Sequence, residues 1–107
     1  HSTIMFRKKV FIAAGGYSDR FKYAQDYNLW VRMLALGEAH NLDEALSVVR
    51  IDQWSASNKN YRKQKLEELQ IRWNAFRKFG GDPGKVLFYS LKNLARLIFP
   101  SKRHLDR

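Results

Sequence analysis

The 107-residue chain contains no cysteine, which excludes a disulfide framework and any thiolate zinc site. No apolar run approaches the ~20 residues of a membrane span, and no charged n-region followed by an apolar h-region opens the chain. Acid is scarce, with ten Asp and Glu against twenty Lys and Arg and a formal net charge of +10. That balance rules out an acidic solvating protein and makes anionic partners plausible: nucleotides, phospholipid headgroups or nucleic acid. What the chain does have is apolar mass. At 45% hydrophobic and 14% aromatic residues it has the composition of a sequence that packs a core rather than one that stays disordered.

The charge is unevenly placed. Residues 1–58 hold seven basic and six acidic side chains, whereas residues 59–107 hold thirteen and four. A nearly neutral first half joined to a half of net +9 suggests two tasks, recognition chemistry first and surface attachment second. The plainer alternative is that long basic side chains solvate helices. The chain opens on His1 rather than an initiator methionine, and the expectation is a segment of a longer protein.

Local signals divide the chain into short elements. Ser2 to Phe6 is β-branched and apolar enough for a strand, as is Ala45 to Ile51. Arg7 to Ala14 carries Val10, Phe11 and Ala14 at helical spacing and is stopped by Gly15-Gly16. Ala24 to Leu36 reads as a helix with Tyr27, Trp30 and Leu34 on one face, closed by Gly37. Asp52 to Asn60 is polar and loop-like. Tyr61 to Phe79 repeats Leu66, Leu69, Trp73 and Phe76 as one amphipathic stripe, with Glu68 and Arg72 as an i, i+4 pair. Gly80-Gly81 ends it. Asp82 and Pro83 have the form of an N-cap and a first-turn proline for a last helix whose stripe is Leu87, Leu91, Leu94 and Ile98. Pro100 ends that helix, and a basic tail follows.

Few residues have the pattern of a reactive site. His1, His40 and His104 are far apart and lack metal-ligand spacing, and there is no Gly-rich phosphate loop, Walker pattern or nucleophile triad. RNA-binding signatures are also absent. Asp26 is the leading candidate. It falls at the start of a helix, where the dipole favours a carboxylate, and it could either cap that helix or act as a general base on a hydroxyl in a cleft. Residue types alone leave both roles open.

The order of segments says more. HSTIMFRKKVF, GGYSDRF, AQDYNLWVRM and NLDEALSVVRIDQWSAS follow one another as they do in the C-terminal part of bacterial family 2 glycosyltransferases, which residues 1–57 resemble. That family shows a strand ending in MFRR or a relative, a GGY turn, an E-D-Y-D-L-W helix start and a later YR-x-H-x-x-S-x-S segment. The resemblance implies an α+β fragment of the GT-A nucleotide-diphospho-sugar transferase fold, mainly helical with about two short strands. Residues 1–57 would be its acceptor-side, base-bearing segment and residues 58–107 a basic helical C-terminal region.

Carried over by position, Asp26 matches the proposed catalytic base. Gln25 stands where the family has glutamate, which removes one negative charge beside Asp26, and Asn28 replaces a common acidic residue before Leu29 and Trp30. The resemblance makes His1, Ser2, Thr3, Gln25, Trp30 and Arg50 candidate substrate-binding residues, with Arg50 facing the diphosphate. Asp52 occupies the family's histidine position and becomes a candidate ligand for Mg²⁺ or Mn²⁺ through oxygen. The family's donor-binding half, with its Asp-x-Asp metal motif, would precede His1. The isolated chain is therefore expected to be inactive, although part of an inverting enzyme that moves sugar from a nucleotide-sugar donor to a saccharide or lipid-linked acceptor in surface polysaccharide biosynthesis.

The setting so implied is cytoplasmic, at the inner face of the cell membrane, with residues 85–107 as the segment that meets anionic lipid. Two other readings stand beside it. One is a basic helical module for nucleic acid or membrane, with nucleic acid the less expected partner. The other is an assembly domain that pairs copies through an exposed apolar stripe.

Overall fold

The structure is a computed structural model and describes residues 3–50 and 59–98. Four helices follow in chain order: α1 (Lys8–Ala13), α2 (Gln25–Leu34), α3 (Tyr61–Phe79) and α4 (Pro83–Ile98). Neighbours pack in series, α1 on α2, α2 on α3 and α3 on α4.

The expected α+β fragment of a GT-A fold is not what forms: the described residues contain helices and irregular chain and no strand. Thr3–Phe6 and Ala45–Arg50, the described parts of the two expected strands, are exposed. β-branched composition favours an extended backbone, but a strand exists only when its N–H and C=O groups find a ladder partner. Neither segment pairs with the other or with any described chain. Helix faces, already hydrogen-bonded internally, offer no edge to join.

Helix ends follow local chemistry closely. α1 ends in a Schellman motif, with the Gly16 N–H on the Phe11 carbonyl at 3.0 Å and the Gly15 N–H on the Ile12 carbonyl at 2.9 Å. Gly15 has the positive φ this motif requires, 81°, and Gly16 follows it at 64°, a region costly for any residue with a Cβ. At the head of α4 the Asp82 carboxylate accepts the N–H of Gly84 at 2.8 Å and of Lys85 at 3.3 Å. Pro83 takes the first position, where a missing N–H costs nothing.

The core is small. Phe21, Ala24 and Ile71 form its buried centre, flanked by Tyr27 and Val31, with Leu29 buried separately on α2. Only Ile71 of α3 is buried, and the expected stripe is displaced: Leu66 and Trp73 are exposed, while Leu69 and Phe76 are half-buried. Helix α4 departs further. The residues it turns inward are Val86, Ser90, Asn93 and Leu97, one position out of step with Leu87, Leu91, Leu94 and Ile98, all of which are exposed.

The reason lies in what α3 presents to α4. Its facing side carries Glu68 and Arg72, so the seam is polar. Glu68 pairs with Lys65 at 2.7 Å, their side chains 17% and 15% exposed, and accepts the Asn93 amide at 3.3 Å. Ser90 returns its hydroxyl to the Val86 carbonyl at 2.7 Å. Arg72 does not pair with Glu68 as the i, i+4 spacing suggests. It lies over the Tyr89 ring, 5.7 Å from the centroid, and its Nη1 is buried without a hydrogen bond among the described residues. A polar strip needs polar partners when it is covered, and α4 satisfies it by turning its apolar face away.

Candidate active site

Asp26 lies in the first turn of α2 and is half-buried. It is not the cap. The N-cap position is Ala24, which has no side chain to offer, and Asp26 Oδ1 accepts only the N–H of its neighbour Tyr27 at 2.8 Å. Asp26 Oδ2 receives no hydrogen bond from any described residue. A carboxylate with one oxygen anchored and the other available is competent to take a proton.

The cap comes from another helix. Glu67 of α3 accepts the backbone N–H of Lys22 on Oε1 at 3.0 Å, and those of Tyr23 and Ala24 on Oε2 at 2.7 Å each. Three amides entering α2 thus converge on one carboxylate, with the positive end of the helix dipole behind them. Asp26 and Glu67 place two carboxylates at one helix end: Glu67 is bound through both oxygens to three backbone amides, and Asp26 through one oxygen to a single amide. Cations surround this end. Lys63 donates to the Tyr23 hydroxyl at 3.3 Å and lies 5.3 Å from that ring's centroid, with Lys22 at 6.0 Å.

The other flank of α2 is aromatic. Trp30, one turn beyond Asp26, meets Phe6 at 5.8 Å between centroids, Phe6 stacks on Phe11 at 5.6 Å, and Phe11 meets Tyr17 edge-on at 5.6 Å. Phe6 and Tyr17 are partly exposed on this cluster. The GGY turn is what closes it, because a Cβ on Gly16 would come within 3.3 Å of the Phe11 ring. Arg32 locks the turn from α2. Its guanidinium donates to the carbonyls of Ala14 and, at 2.6 Å, Gly16, while Nε donates to Asn28 Oδ1 at 3.1 Å.

The sequence candidates are thus only partly brought together. Asp26 and Trp30 share a face of α2, and Gln25 precedes them, exposed. Thr3 is exposed. Arg50 is exposed and makes no hydrogen bond or ion pair with any described residue. His1, Ser2 and Asp52 lie outside the described residues. No group of three or more His, Asp or Glu that could hold a metal ion occurs among the described residues. No described helix is long and apolar enough to cross a membrane. Glu67 and Arg32 are not visible as site-builders in the sequence; Glu67 sits on α3, 43 to 45 positions from the three amides it caps.

No protein-family model matches the sequence, and no solved structure matches it. Over 102 residues the chain is 30% identical to the amylovoran biosynthesis glycosyltransferase AmsE of Erwinia amylovora, an alignment that takes in 92% of this chain and 37% of that protein. The chain spans little more than a third of the length of the curated relative it matches, and along nearly all of its own length it is similar to part of a glycosyltransferase.

Proposed function

We propose that residues 1–107 are the acceptor-side, base-bearing part of a family 2 inverting glycosyltransferase of surface polysaccharide biosynthesis. One observation carries this reading: the half-buried Asp26 carboxylate, one oxygen held by the Tyr27 N–H and the other without a described partner, on the helix face that also bears Trp30. The similarity to a named glycosyltransferase supports it.

In the proposed reaction the acceptor hydroxyl gives its proton to Asp26 as its oxygen bonds to the anomeric carbon of the nucleotide-sugar. The bond from that carbon to the phosphate oxygen breaks, and the nucleoside diphosphate leaves with the electron pair. A single displacement inverts the anomeric centre. Trp30 and its aromatic neighbours would give the acceptor ring an apolar face to lie on. Thr3 and Gln25, with His1 and Ser2, would contact the acceptor, and Arg50 the diphosphate. Mg²⁺ or Mn²⁺ would be held chiefly by residues outside this chain, with Asp52 as a contributor. The described residues do not form such a site.

The test is sugar transfer by the open reading frame that contains residues 1–107, with and without Asp26→Asn. The amide keeps the oxygen that accepts the Tyr27 N–H, so thermal stability should be unchanged. Loss of a general base should lower kcat about 10²–10⁴-fold. Unchanged kcat would remove Asp26 from the chemistry. The 107-residue chain alone is expected to show no turnover.

A further inference from the structure

The outward face of α4 is apolar, continuous and fixed in direction. Because Val86, Ser90, Asn93 and Leu97 turn inward, Leu87, Phe88, Leu91, Leu94 and Ile98 stand together on the opposite side, each 43% exposed or more. At 100° per residue they span about a third of the helix circumference. Lys85, Lys92 and Arg96, spaced i, i+7 and i+11, form a row along one edge of that face and are all exposed. The other edge is taken up by α3.

Charge indicates what covers this face. Pro83–Ile98 contains no acidic residue, and residues 99–107 add Lys102, Arg103 and Arg107 against Asp106 alone. A surface of one charge sign beside an apolar stripe complements an anionic sheet with an apolar interior. At about 1.5 Å per residue, the 16-residue helix is shorter than the ~30 Å hydrocarbon core, and it carries three cations, so it would lie in the plane of the interface. We infer that α4 is a membrane-docking helix. Leu87, Phe88, Leu91, Leu94 and Ile98 enter the headgroup–acyl boundary of an anionic phospholipid bilayer, and Lys85, Lys92 and Arg96 meet its phosphates. The inference does not depend on the transfer reaction, because it rests only on residues of α4 and its seam with α3.

The experiment is sedimentation of the 107-residue chain with phosphatidylcholine vesicles, pure or containing about one third phosphatidylglycerol. Binding is expected to the anionic vesicles and to weaken with added salt. Lys92→Gln with Arg96→Gln should lower the partition coefficient about thirtyfold, at about fivefold per lost charge. Leu91→Glu with Leu94→Glu should abolish binding. Neither pair lies on the α3 seam, so far-UV circular dichroism should be unchanged in both. Absence of binding, equal binding to neutral and anionic vesicles, or insensitivity to Lys92→Gln with Arg96→Gln would each overturn the inference. So would a dimer broken by Leu91→Glu that leaves no vesicle binding, since a second copy would then be the cover.

Discussion

The Ala24 N–H donates to Glu67 Oε2 at 2.7 Å, joining the head of α2 to the middle of α3. With the amides of Lys22 and Tyr23 on the same carboxylate, this contact supplies the cap that α2 lacks in its own sequence. It also leaves Asp26 with a single first-turn amide, that of Tyr27, on one oxygen, so the other oxygen is not needed for capping.

Glu67→Ala strands three amides, those of Tyr23 and Ala24 part-buried and that of Lys22 exposed, and should cost about 1–3 kcal/mol. Glu67→Gln should fall between the two, since its amide oxygen still accepts while its NH₂ faces other donors. Urea unfolding midpoints at constant slope measure both. An unchanged midpoint for Glu67→Ala would show that water caps α2 as well as the carboxylate does.

Arg32→Met should loosen α1 by leaving the carbonyls of Ala14 and Gly16 unpaired, with amide exchange in Lys8–Ala13 at least tenfold faster. Arg32→Lys should not restore protection, because a single ammonium lacks the planar fork that serves two carbonyls and Asn28 together. Full protection in the lysine variant would reduce the contact to simple charge at a helix C-terminus.

Ile71 is 1% exposed and Leu91 56%. Ile71→Ala should therefore cost about 2–5 kcal/mol, and Leu91→Ala less than about 0.5 kcal/mol. Thermal or urea unfolding measures both; Leu91→Ala reports the register of α4, and a loss there as large as that of Ile71→Ala would place the leucine stripe inside.

Among the described residues the buried Nη1 of Arg72 has no hydrogen bond, and the guanidinium lies over the Tyr89 ring. Replacing a poorly paired buried cation by an apolar side chain of similar length is often neutral or stabilising. Arg72→Met should leave stability within about 1 kcal/mol or raise it; a loss above about 3 kcal/mol would reveal an ionic partner for the guanidinium.

These contrasts show which features are written locally. The Gly15-Gly16 stop, the Gly80 stop and the Asp82-Pro83 start are legible because each involves residues within one turn of one another. Hydrophobic spacing marks the extent of α3 and α4, but periodicity identifies an apolar face without saying what covers it, and the stripe it picks on α3 is exposed at Leu66 and Trp73. Glu68, Arg72 and Asn93 decide that a polar face is covered instead. The strands expected at Ser2–Phe6 and Ala45–Ile51 fail, over their described residues, for a related reason, since a ladder partner is not a local property. At the candidate site, Asp26 and Trp30 could be singled out because both fall in one short motif, AQDYNLW, at the start of a helix. Glu67 could not, because its three donors come together only in the folded chain.

The cap on α2 also sets an order of assembly. The N–H groups of Lys22, Tyr23 and Ala24 leave the ribosome 45, 44 and 43 residues ahead of the carboxylate that satisfies them. Closing so long a loop costs chain entropy before any contact offsets it. Helix α2 therefore matures only once α3 has been translated. A nascent chain stalled between the two would hold Asp26 on a fraying helix, so that the basic half of the polypeptide acts as the folding template for the half that bears the proposed base.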